Sequence, residues 1–100
     1  MSRIVIVESG AEWDIEDGYG WYEERHPGLG VRFIDELDTT FLRVVENPAS
    51  YQEVAPEIRQ AVIHVFPYLV FFTHTAEAVY ILAVVPAAQD PDFIASKLLR

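Results

Sequence analysis

Cysteine is absent from the chain, which excludes disulfides and thiolate metal ligands and fits a reducing cytoplasm. Cations are scarce: seven lysines and arginines face sixteen acids, for a net charge of −9, and none falls between Arg59 and Lys97. A surface that grips nucleic acid displaces phosphate counterions with cations, and that half of the chain offers only His64 and His74. Direct nucleic-acid binding is therefore not expected. Long hydrophobic runs are missing as well. The longest apolar stretch, AVIHVFPYLVFF (61–72), contains His64 and Pro67 and is too short to cross a bilayer as a helix. The opening MSRIVIVESG has four apolar residues before an acid, so neither a signal peptide nor a membrane association is expected.

What the chain does have is dense patterning. Half of its 100 residues are apolar, enough for a single domain over 1–100 that buries its own core. The β-branched run Ile4–Val7 reads as a buried strand. Ser9 and Glu12 form S-x-x-E, a capping box opening a first helix, with Asp14, Glu16 and Asp17 in its first turns. Ala11, Ile15, Tyr19 and Tyr22 recur there at helical spacing, while Gly18 and Gly20 leave the helix dependent on packing. HPGLG (26–30) is turn chemistry. A second helix over 30–46 carries the stripe Phe33, Leu37, Phe41 and Val44, and Asn47–Pro48 ends it, completing a helical hairpin.

The period then changes to two. Residues 61–66, 68–74 and 79–85 read as an antiparallel meander, and Asp90–Pro91 as the cap and first residue of a terminal helix. The expected class is α+β: a small antiparallel sheet in β-α-α-β-β-β order, a helical hairpin on one face, and a short C-terminal helix. On 68–74, Tyr68, Val70 and Phe72 point one way and Leu69 and Phe71 the other. On 79–85, Val79, Ile81, Ala83 and Val85 oppose Tyr80, Leu82 and Val84. Both faces are apolar, and one hairpin covers one face. The other calls for the C-terminal tail, a second copy in a homodimer, or another protein.

Few residues suggest chemistry. His64 and His74 lie on different strands with no carboxylate at ligand spacing, and His26 sits in a turn, so no metal site is expected. Asp14 with Asp17, and Glu23 with Glu24, read as solvated acids on exposed helix surface. Tyr68 reads as packing at a strand start rather than a reactive phenol. Arg59 is the sole cation entering the meander, able to contact a partner or to pair with a nearby acid.

Taken in order, these residues resemble the RelE/ParE superfamily of toxins from bacterial type II toxin–antitoxin systems. WYEERHPGLGVRFIDEL (21–37) carries the Tyr-Glu, Pro-Gly-Leu-Gly and Arg-Phe pattern, and ENPASYQEV (46–54) the Asn-Pro followed by Tyr. IRQAVIHVFPYLVFF (58–72) carries an Arg ahead of a Phe-Pro-Tyr strand, and ILAVVPAAQDP (81–91) the last strand with its Asp-Pro ending. The resemblance implies an antiparallel sheet with a helical hairpin, and one of two activities. RelE-like toxins cleave messenger RNA on the ribosome; ParE-like toxins poison DNA gyrase by binding it. Both are silenced by an antitoxin whose tail wraps over the toxin.

Many members carry a His, two variable residues and an Arg before the Asp-Pro. Pro86 and Gln89 stand at those positions here. Cutting RNA through its 2′-oxygen needs a base, an acid and cations around the phosphorane, and neither residue supplies them. The resemblance thus implies a ParE-like, non-catalytic toxin that binds a protein target such as DNA gyrase and is neutralised by a cognate antitoxin. The alternatives are a RelE-like ribosome-dependent mRNA endonuclease and a degenerate, non-toxic antitoxin-binding module. Arg59, Tyr68, Gln89 and Phe93 are the expected target or partner contacts, and no cofactor is implied.

Overall fold

The computed structural model describes residues 3–99. Strand β1 (Ile4–Val7) leads into helices α1 (Ser9–Arg25) and α2 (Leu29–Glu46). A single 3-10 turn at Pro48–Ser50 follows, then strands β2 (Gln52–Ala55), β3 (Ile58–Val62), β4 (Tyr68–His74) and β5 (Ala78–Pro86), and helix α3 (Pro91–Leu99). The sheet order is β1-β5-β4-β3-β2. Every pairing is antiparallel except the edge pair, where β1 runs parallel to β5. The α+β class, the hairpin and the terminal helix are as expected from the sequence.

The differences have local causes. Strand β2 is an addition: Gln52–Ala55 is mostly exposed and carries no apolar alternation, so only its pairing with β3 reveals it. The strand expected over 61–66 lies instead over Ile58–Val62; beyond it Val65 adopts a left-handed backbone (φ 78°) and Phe66 is buried in the core. Ser9 is not a cap; α1 starts on the backbone carbonyl of Glu8, without a side-chain hydrogen bond. At α3 the expected cap does form, with Asp90 Oδ1 accepting from the Asp92 amide at 2.7 Å.

The two helices meet through glycines. A Cβ on Gly18 would stand 2.9 Å from the Phe33 ring, and one on Gly30 would stand 2.8 Å from the Tyr19 carbonyl oxygen. This close approach turns α1 so that Ala11, Asp14 and Gly18 are its buried residues. Ile15 and Tyr22 border that face, while Tyr19, expected to share it, is exposed. Glu23, read as a solvated acid, instead accepts from the amides of Gly28 and Gly30, both at 2.9 Å. Its carboxylate thereby satisfies orphan donors at the positive end of α2.

Two apolar clusters lie on opposite faces of the sheet. Under the hairpin sit Phe33, Leu37, Val70, Phe72, Val79 and Ile81 among others. The second cluster, Phe71, Ala83 and Val85, is covered by Ile94 and Leu98 of α3. Of the three covers the sequence left open for this face, the chain's own tail is the one in place. The alternation on β4 is as expected, but that on β5 is not. The β4–β5 register shifts between Phe71 and Phe72, so Val84 joins Val79 and Ile81 under the hairpin while Ala83 and Val85 face α3. A bulge inserts one residue and inverts the faces beyond it.

Candidate functional site

Strand β1 stops at Val7, whose register partner is Ile81, while β5 continues to Pro86. Beyond Ile81 the outer edge of β5 has no neighbouring strand, and its amides need acceptors. Helix α1 crosses there. Asp14 Oδ2 accepts from the Val84 amide at 3.0 Å, and Oδ1 holds Lys97 Nζ of α3 at 2.8 Å. The Asp14 side chain is 2% exposed and that of Lys97 24%. One buried carboxylate thus joins α1, β5 and α3. Asp14 was expected to be solvated; the structure corrects that. Its signal was present in the sequence, since Asp14 falls at i+3 from Ala11 and i−4 from Gly18, inside the packed face of the helix.

Outside this junction a cleft of about 430 Å³ opens between α1 and α3 at the end of β5. Trp21, Tyr22, Tyr68 and Phe93 supply aromatic walls; Asp17 stands on its α1 side and Pro86 and Gln89 at the strand end. Burial pushes the Tyr68 phenol above its ordinary pKa of 10.0, with smaller contributions from Tyr22, Asp17 and Asp14. Burial also raises Tyr22. Both phenols are therefore neutral near pH 7, able to donate hydrogen bonds and unsuited to act as bases.

Three of the four expected contact residues, Tyr68, Gln89 and Phe93, line this one cleft. Arg59 does not. It lies opposite Phe72 on β4, four residues beyond Tyr68, or roughly 13 Å along the strand. Its guanidinium donates to the Tyr51 carbonyl at 2.6 Å. Trp21 and Lys97 were not singled out in the sequence, because no local spacing links α1 to the terminal helix; Asp17 was read as a solvated acid, and it stands exposed at the cleft. Among the described residues no group of three His, Cys, Asp or Glu is placed to hold a metal, and no helix is long and apolar enough to cross a membrane.

Comparison with known proteins fits this architecture. The sequence profile of the family described as "ParE toxin of type II toxin-antitoxin system, parDE" matches residues 5–91. A solved structure described as "Chromosomal ParDE TA system from P. aeruginosa" superposes with a TM-score of 0.74 at 12% identity, over 84% of this chain and 95% of that one. At that identity the likeness speaks for the fold alone. Among curated proteins no relative matches. The profile runs through the hairpin and all five strands and stops where α3 begins: the chain belongs to the family of ParE toxins of type II toxin–antitoxin systems.

Proposed function

We propose that the chain is a toxin that acts by binding a protein target, with DNA gyrase the first candidate, and that it is neutralised when a segment of its cognate antitoxin lies over the α1–α3 cleft. The observation that carries this reading is the chemistry of the cleft. Phosphoryl transfer at the strand end would need a base, an acid and free cations. Pro86 and Gln89 stand there beside two neutral phenols, and Lys97, the cation lining the cleft, is held by Asp14 at 2.8 Å. A wall of four aromatics with few polar groups suits a binding surface. In this reading Tyr68, Gln89 and Phe93 are contact residues, and Arg59 marks a separate contact region.

The test is induction of the chain alone in bacteria, with growth and chromosomal DNA breaks scored together, and supercoiling by purified gyrase assayed alongside. Arrest with breaks and inhibited supercoiling is the expected result. Transcript cleavage on isolated ribosomes, lost in Arg59→Ala, would establish the endonuclease instead. Undisturbed growth with folded protein that still retains an antitoxin would reduce the chain to a binding module.

A further inference from the structure

The cleft between α1 and α3 has features that a plain apolar groove lacks. Its aromatic walls already attract the chain's own cations. The Arg25 guanidinium stacks 3.4 Å from the centre of the Trp21 ring, and Lys97 Nζ stands 5.2 Å from that of Phe93. Facing the cleft are three charged groups: Asp14, Asp17 and Lys97. Asp14 and Lys97 neutralise each other. Asp17 is exposed, and among the described residues no cation pairs with it. Of the charges that line the cleft one acid is therefore left over, in a protein of net charge −9, while Arg25 on the Trp21 ring is not among the lining residues. Both tyrosines stay neutral and add no charge to the cleft.

From this arrangement we infer that the cleft is a receptor for one arginine side chain carried by a protein partner, with the guanidinium plane laid against the aromatic wall and its edge directed to Asp17. An aromatic face attracts a cation through its quadrupole. A planar guanidinium adds stacking and two-pronged pairing with a carboxylate, which a compact ammonium does not match. One wall of the receptor is α3, which lies almost wholly beyond the residues matched by the family profile. The inference rests on the protein-partner reading above for the source of the arginine, and it predicts a basic antitoxin segment.

The probe is Nα-acetyl-arginine amide, titrated into the full chain at low salt, with the neutral citrulline amide as its isostere. The indole N–H resonances report the position: Trp21 lines the cleft, whereas Trp13 lies in a separate depression near the start of α1. Binding in the millimolar range is expected, shifting Trp21 and leaving Trp13 in place. Citrulline amide should bind roughly fivefold more weakly or worse. Asp17→Asn, a change at an exposed position, should weaken the arginine probe by roughly two- to fivefold and leave unfolding unchanged. Equal binding of the two amides, equal shifts of both indoles, preference for an acetylated phenylalanine amide, or indifference to Asp17→Asn would each overturn the inference. The outcome is independent of the functional reading. An antitoxin that covers the cleft of a chain that ignores arginine sinks only the inference; arginine binding by a chain whose antitoxin leaves the cleft open sinks only the reading.

Discussion

At the residue scale the molecule turns on Asp14. Burying a carboxylate is costly unless both its charge and its lone pairs are matched, and here the Val84 amide and Lys97 do the matching. Asp14→Ala removes the acceptor from a buried amide and the counter-ion from Lys97 together, and should destabilise the fold by about 3 kcal/mol. Lys97→Met should cost less, about 1–2 kcal/mol, because the quarter-exposed ammonium leaves a place that water can reach. Asp14→Asn keeps an oxygen for Val84 and should fall between the two. Urea unfolding of the three variants checks the order, and an Asp14→Ala loss no larger than that of Lys97→Met would show that the amide bond contributes little. None of this was legible from neighbours in sequence, since Val84 and Lys97 lie 70 and 83 positions away. What sequence did offer was the helical phase of Asp14 between Ala11 and Gly18. Tyr68, Gln89 and Phe93 were legible as candidates through the family pattern and the tail, yet their meeting in one cleft was not.

At the scale of elements, helix–helix distance is set by glycines, and three of them in one hairpin have opposite roles. Gly18 admits the Phe33 ring, Gly30 admits the Tyr19 carbonyl, and Gly20 faces open space with nothing within 4 Å of a would-be Cβ. Gly20→Ala should therefore stabilise the protein by about 0.5–1 kcal/mol through helix propensity alone. Gly18→Ala gains the same propensity but pushes on a fully buried ring, and overpacking of about 1–3 kcal/mol should win. Gly30→Ala meets backbone, which yields less, and should be the most damaging. Chemical denaturation of the three single variants tests the signs; a stabilising Gly18→Ala would mean that Phe33 can move aside. The elements themselves were largely readable, because α2 repeats at helical spacing and β4 alternates strictly. The bulge in β5 was not, since Val79–Val85 is apolar at nearly every position and a shift of face leaves no mark in such a run. Strand β2 was missed for the opposite reason: an exposed edge strand needs no apolar pattern at all.

For the whole molecule, two phenols whose pKa burial raises set the response to alkaline pH, and the excess of acid adds to it. Thirteen of the sixteen acids fall within residues 8–57, and the cleft draws Asp14 and Asp17 toward the Tyr68 phenol. Folding raises the Tyr68 pKa above 10.0, mainly by burial and then through Tyr22 and the two acids, and burial raises Tyr22 likewise. Below about pH 9 both folded and unfolded chains keep these protons, and the contribution to stability is complete. As pH climbs through 10.0, the unfolded chain releases its protons first. Stability then falls until the folded phenols ionise as well. The melting temperature should accordingly drop on the alkaline side, and Tyr68→Phe should flatten that drop relative to the parent protein. Salt separates the causes. Screening weakens the push from partly exposed charges such as Asp17 but leaves the burial of the phenol untouched. Because burial is the larger cause, high salt should restore only the minor part of the loss, and tyrosinate absorbance should still show a late-titrating phenol. Parallel alkaline slopes for the parent and Tyr68→Phe would mean that the phenol is as solvated in the folded cleft as in the open chain, and the cleft would then lack the enclosure that a stacked cation needs.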